Sequence, residues 1–156
     1  MLKNKKSPVA CDWKCKPDNG REIPAENISR LYRHKKDFSW QGIEKEKYKK
    51  EDGDWADIAR HTLIGNHAET AGFHLRYFEI APGGCSSFET HKHEHVVIGI
   101  RGKGICVVSN KKYQMRFLDT LYIAPDAPHQ LRNPYKEPFG FFCIVNSKRD
   151  KPKILK

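Results

Sequence analysis

From Asp57 to Asn146 the sequence is a succession of short apolar runs, most of them separated by Gly, Pro or Asn, with no amphipathic helix among them. This punctuation constrains the chain more than any other feature, because short strands joined by tight turns bury their apolar faces only by folding onto one another. The strands expected are Ile58–Ile64, Phe73–Ala81, Ser86–His91, His95–Arg101, Ile105–Ser109, Lys112–Phe117, Thr120–Ala124, Pro128–Asn133 and Phe139–Asn146. Between them lie turn residues such as Gly65-Asn66, Pro82-Gly83-Gly84, Asn110-Lys111 and Pro125. The pattern predicts an all-β sandwich or barrel.

The flanks differ in texture. Residues 1–56 read as a basic, largely irregular N-terminal arm, residues 57–147 as the barrel and residues 148–156 as a C-terminal tail. In the arm, Pro8, Pro17, Gly20 and Pro24 break any long element. Phe38, Trp40, Ile43, Tyr48 and Trp55 then stand among many charges, which predicts a segment lying across an apolar surface, either of its own barrel or of a partner. A chain of 156 residues suits one domain.

Charge and cysteine usage bound the function classes. Of the net charge of +10, most is N-terminal: residues 1–50 carry 14 Lys and Arg against 7 Asp and Glu. These charges are mixed in sign, and no helix-turn-helix or RNA-binding aromatic motif accompanies them, so a solvated arm is expected and no nucleic-acid partner. No apolar run reaches the roughly 20 residues of a membrane helix. Lysines at the N-terminus have no apolar stretch behind them, so a cytoplasmic protein is expected. The five cysteines are odd in number and irregularly spaced, as reduced thiols would be; Cys11 and Cys15 form an incomplete metal set, and Cys106 and Cys143 sit in apolar runs.

Chemistry concentrates in Glu89-Thr-His91-Lys-His93-Glu94-His95. Alternate strand residues share a face, so Glu89 and His91 point the same way. If the chain turns at Lys92–Glu94, His95 opens the next strand and returns to the same point. His129 opens a later strand after a turn stiffened by Pro125 and Pro128. Three imidazoles and a carboxylate suit one divalent metal ion: Mn, Fe, Ni, Co or Zn. We therefore read Glu89, His91, His95 and His129 as the ligands. If the strand runs straight through, His91, His93 and His95 line up and Glu89 stands behind them; if the chain turns, His93 points to the barrel mouth as an acid or base, and we take it as catalytic.

The residues around these histidines resemble the cupin superfamily. Its first motif runs Gly, five residues, His-x-His, three or four residues, Glu, six residues, Gly. Here Gly83, five residues, Glu89-x-His91, three residues, His95, six residues and Gly102 keep that spacing, with Glu89 and His95 exchanging the usual letters. The second motif is matched by Asp119, Pro125, His129 and Asn133, one residue short before the histidine. The flanks are similar to a narrower group of small single-domain cupins, through Trp40-x-Gly42, Tyr48-Lys49, Leu75-Arg76-Tyr77-Phe78-Glu79, Gly140-Phe-Phe-Cys-Ile-Val-Asn146 and Arg149-Asp150-x-Pro152. The resemblance implies a double-stranded β-helix, a jelly-roll barrel, with a metal inside its wide end, commonly paired as a homodimer.

That group includes a sulfurylase of methylthio-sugar phosphates, so the resemblance implies a metal-dependent enzyme on a small oxygenated, sugar-like substrate. Lyase, isomerase or sulfurylase chemistry would pass through a metal-stabilised enolate. A non-haem iron dioxygenase and a ligand-binding sensor without turnover are the alternatives. Arg76, Phe78 and Tyr122 are candidate pocket residues. An inward Arg76 needs an anion, a phosphate or a carboxylate; an outward one needs a salt bridge.

Overall fold

The computed structural model describes residues 29–49 and 55–155. Cys11, Cys15 and most of the basic arm lie outside the described residues. Eleven strands follow in order: β1 (Glu46–Lys47), β2 (Ala56–Ile64), β3 (Phe73–Cys85), β4 (Glu89–Thr90), β5 (His95–Arg101), β6 (Gly104–Val108), β7 (Lys111–Met115), β8 (Thr120–Ile123), β9 (His129–Arg132), β10 (Phe139–Asn146) and β11 (Lys153–Ile154). Among the described residues no helix is long and apolar enough to cross a membrane.

All pairings are antiparallel, and they fall into two layers. One layer runs β1-β2-β3-β10-β5-β8, the other β11-β4-β9-β6-β7. Strand β3 joins them. Its first part pairs with β2 and β10, and its last residue, Cys85, pairs with Arg132 of β9. The switch occurs at Pro82-Gly83-Gly84, where a stop was expected. Gly83 has φ +81°, a conformation that suits glycine, and its amide donates to the Asn133 carbonyl, so the strand bends into the second layer. The result is an all-β barrel, as the spacing of the strands predicts, in the jelly-roll form that the resemblance implies.

Period-two burial explains which face closes the core. Phe78 and Ile80 of β3, Val97 of β5, Cys106 of β6, Leu131 of β9 and Phe139, Phe141, Cys143 and Val145 of β10 share the inward parity of their strands and meet in one core between the layers. Tyr77 has the opposite parity and is nonetheless fully buried. The N-terminal segment covers it: Trp40 meets Tyr77 edge-on at 5.0 Å, and Phe38 stacks on it at 5.9 Å. Trp40, Ile43, Leu63 and Tyr77 thus make a second apolar cluster on the outer face of the first layer. Each such side chain contributes roughly 1.5–3 kcal/mol by burial. The aromatic part of the arm therefore packs on its own barrel.

Both flanks also add strands. Glu46 and Lys47 pair with Arg60 and Ala59, and Lys153 and Ile154 pair with Thr90 and Glu89. Segments that the sequence sets outside the barrel thus extend its two layers.

Candidate metal centre

The chain does turn after His91. Strand β4 ends at Thr90, residues 92 and 93 bend, and β5 opens on His95. The bend is tied down by the Asp126 amide, which donates to the His91 carbonyl at 2.8 Å, and by Thr90 Oγ1, which donates to the Asp126 carbonyl at 2.9 Å. Because β4 pairs with β9 at Glu89 and His129, the second motif arrives beside the first. His91, His95 and His129 are buried, and their candidate ligand atoms all lie within 4.8 Å of one another.

The hydrogen bonds fix which nitrogen each ring presents. His91 Nδ1 donates to the His93 carbonyl at 2.9 Å, and His129 Nδ1 donates to the Ala127 carbonyl at 2.9 Å. A carbonyl only accepts, so both Nε2 atoms carry lone pairs. His95 Nδ1 meets Cys143 Sγ at 3.1 Å, and His95 Nε2 faces His91 Nε2 at 2.7 Å. Two ring nitrogens this close require a proton or a cation between them. Burial lowers the pKa of all three rings, reinforced at His95 by His129, His91 and Arg76, which takes His95 to about 2. Neutral imidazole is the ligating form, so the donor set fits a divalent metal ion.

Glu89 is buried beside these rings but stands apart from the three-histidine group. Its Oε2 takes a 2.5 Å ion pair from Lys49 Nζ and a 2.5 Å hydrogen bond from Ser87 Oγ. Strand parity brings the carboxylate inside, as the sequence predicts; the arm then supplies the cation that balances it. His93 is also buried. Its ring stacks on His91, with centroids 3.8 Å apart and 6° between planes, and its Nδ1 meets Asp150 Oδ1 at 2.8 Å. Asp150 accepts from the Lys92 amide through both oxygens, at 3.1 and 3.0 Å; these bonds, with His93, hold its pKa down at about 2. An ionised Asp150 accepts a hydrogen bond from His93 Nδ1–H, which leaves the lone pair on Nε2.

These groups line a cavity of about 710 Å³. Its walls include the four histidines, Glu89, Arg76, Phe78 and Cys143. Phe78 lies under the Arg76 guanidinium, 5.1 Å from its centroid to Cζ. Tyr122 corrects the expectation for the pocket. On β8 its neighbour Ile123 points to the core, so Tyr122 faces outward and is 61% exposed, away from the cavity. Lys49, Ser87, Cys143 and Asp150 escaped sequence reasoning as site residues. The inward parity of Phe141 and Val145 was the available signal for Cys143, whose thiol touches both His95 and Arg76.

A two-layer jelly roll with histidines converging in its interior defines a cupin, and residues 76–145 match the Cupin domain family. The chain belongs to the cupin family. It is 35% identical over 118 residues to a 1-methylthio-D-xylulose 5-phosphate methylsulfurylase of Rhodospirillum rubrum, covering 75% of this chain and 74% of that protein. Among solved structures it is similar to a cupin 2 conserved barrel domain protein from Rhodopseudomonas palustris, with TM-score 0.75 and 30% identity over 81% of this chain and 87% of the other. A cupin-2 domain from Rhodospirillum rubrum superposes with TM-score 0.70 at 33% identity, over 81% of this chain and 84% of the other.

Proposed function

We propose that this cupin is a metal-dependent enzyme acting on a small oxygenated, phosphorylated sugar-like substrate by lyase-, isomerase- or sulfurylase-type chemistry. The observation that carries the reading is the pairing of two things in one cavity: three histidine Nε2 atoms that converge, and a fourth histidine poised by Asp150 as a base. The sugar-phosphate relative supports the substrate class.

His91, His95 and His129 would hold the ion. When bound, a divalent ion polarises a carbonyl and acidifies the adjacent C–H. The chain's own groups do the rest. His93 Nε2 takes the proton from that carbon, and the electron pair left behind moves onto the carbonyl oxygen. Asp150 fixes the tautomer and stabilises the imidazolium that results. Phe78 and Val97 wall the cavity and exclude water from the carbanion. The Lys49–Glu89 ion pair closes the side next to β4.

Elemental analysis of purified wild-type protein should find near-stoichiometric metal, lost in both His91→Ala and His129→Ala. Methylthio-xylulose 5-phosphate should be consumed by the loaded wild type and left intact by His93→Gln, whose metal content should be unchanged. Metal retained in His129→Ala would reduce the centre to a local cluster around residue 91. Stoichiometric metal without turnover of any sugar phosphate would leave a binding protein.

A further inference from the structure

The carboxylates lining the cavity are already matched. Glu46 pairs with Arg60, Glu89 with Lys49, and Asp150 with His93. Two cations of the same cavity, Arg76 and Arg149, have no carboxylate partner among the described residues. Arg76 Nε is buried with no hydrogen-bond partner, and one Nη atom reaches only the Cys143 thiol, at 3.4 Å. A guanidinium whose Nε is shut off from water without a partner is costly unless something else satisfies it. Arg149 stands at the cavity rim, where Nη1 donates to the Asn146 carbonyl at 3.3 Å. Burial and the like charges of Arg76 and Arg60 hold its pKa below the usual value, so the two guanidiniums repel each other across the cavity. His74 feels the same field, its pKa lowered by burial and then by Arg149 and Arg76.

We propose that Arg76 and Arg149 form the anion-binding end of the cavity, a subsite for the phosphate of a phosphate monoester. Arg76 comes from β3 inside the barrel and Arg149 from the tail beyond β10, so an anion between them ties the tail to the barrel wall. Two guanidiniums with no carboxylate partner suit a dianion with three terminal oxygens better than a carboxylate, which a single fork satisfies. Cys143 places this end relative to the metal centre: its Sγ contacts Arg76 on one side and His95 on the other. A substrate anchored on Arg76 thus extends its other end past the thiol towards the three histidines. The subsite rests on the proposed function for its substrate, but its chemistry does not depend on the ion.

The test is calorimetry of metal-free protein with inorganic phosphate at fixed ionic strength, and with acetate as the carboxylate probe. Wild type should bind phosphate at least about tenfold more tightly than acetate. Arg76→Gln should weaken phosphate by about tenfold or more, Arg149→Gln by about threefold or more, and Arg76→Lys should recover part of the loss. Thermal midpoints identify any variant that fails to fold; Arg149, at the rim, supplies the result if Arg76→Gln does not fold. Phosphate binding that is absent, equal to acetate, or unchanged in Arg149→Gln overturns the subsite. His129→Ala separates the two readings. Phosphate bound by that variant without metal keeps the subsite whatever becomes of the enzyme; metal and turnover without phosphate binding discard the subsite alone.

Discussion

The stacked pair His91 and His93 shows how two identical side chains two residues apart take different work. Both rings are buried and nearly parallel. What separates them is the partner of Nδ1: a backbone carbonyl for His91, a carboxylate for His93. The first leaves Nε2 of His91 as a candidate ligand atom, the second fixes the tautomer of His93 with the lone pair on Nε2. Replacing Asp150 by Asn keeps the size and removes the carboxylate that holds this tautomer. Turnover should fall by about tenfold or more with metal content and melting temperature unchanged, and Asp150→Glu should restore part of it. The ligands themselves give a pH signature. Their folded pKa values lie below the imidazole value of about 6.5, so above that pH they hold no protons for a metal to displace. Metal affinity should stay level above about pH 6.5 and decline only as pH falls towards the lowered values. Calorimetry near pH 7 in two buffers of different ionisation enthalpy should find fewer than about one proton released per metal.

At the level of elements, the strands least altered from expectation are those with strict alternation. His95–Arg101 and Phe139–Asn146 appear with the limits that the sequence suggests, because each buries every second side chain in one core. Ser86–His91 shrinks to Glu89–Thr90. The Ser86 hydroxyl accepts the Leu131 amide in place of a ladder carbonyl, and such side-chain competition interrupts regular pairing. The histidine triad was legible because its spacing straddles one turn and one strand start. Lys49, Arg149 and Asp150 were legible only as members of a family pattern, since nothing local tells where an irregular segment will lie. Asn133 shows what a motif residue does once placed. It is buried, donates to the Ile80 and Glu137 carbonyls at 2.9 and 2.8 Å, and accepts the Tyr135 amide at 3.1 Å. Asn133→Ala should cost about 2–3 kcal/mol in urea unfolding, through the buried groups it leaves unpaired.

Across the whole molecule, the barrel holds the three candidate metal ligands on β5, β9 and the turn after β4, while the segments outside it complete the cavity. The arm contributes Lys49, and the tail contributes Arg149 and Asp150. The tail is fastened by a two-residue ladder, Lys153–Ile154 against β4, and by the Leu155 amide donating to the Phe88 carbonyl at 2.9 Å. So short a ladder opens at a small fraction of the free energy that unfolds the barrel. Hydrogen exchange at Leu155 should therefore be fast against that of Val97 in β5. An anion held between Arg76 and Arg149 adds its binding energy to every closed state and none to the open one. Saturating phosphate should slow exchange at Leu155, and also at Val97, because unfolding of the barrel loses the same subsite. A two-residue ladder thus becomes a clock whose rate reports what the cavity contains.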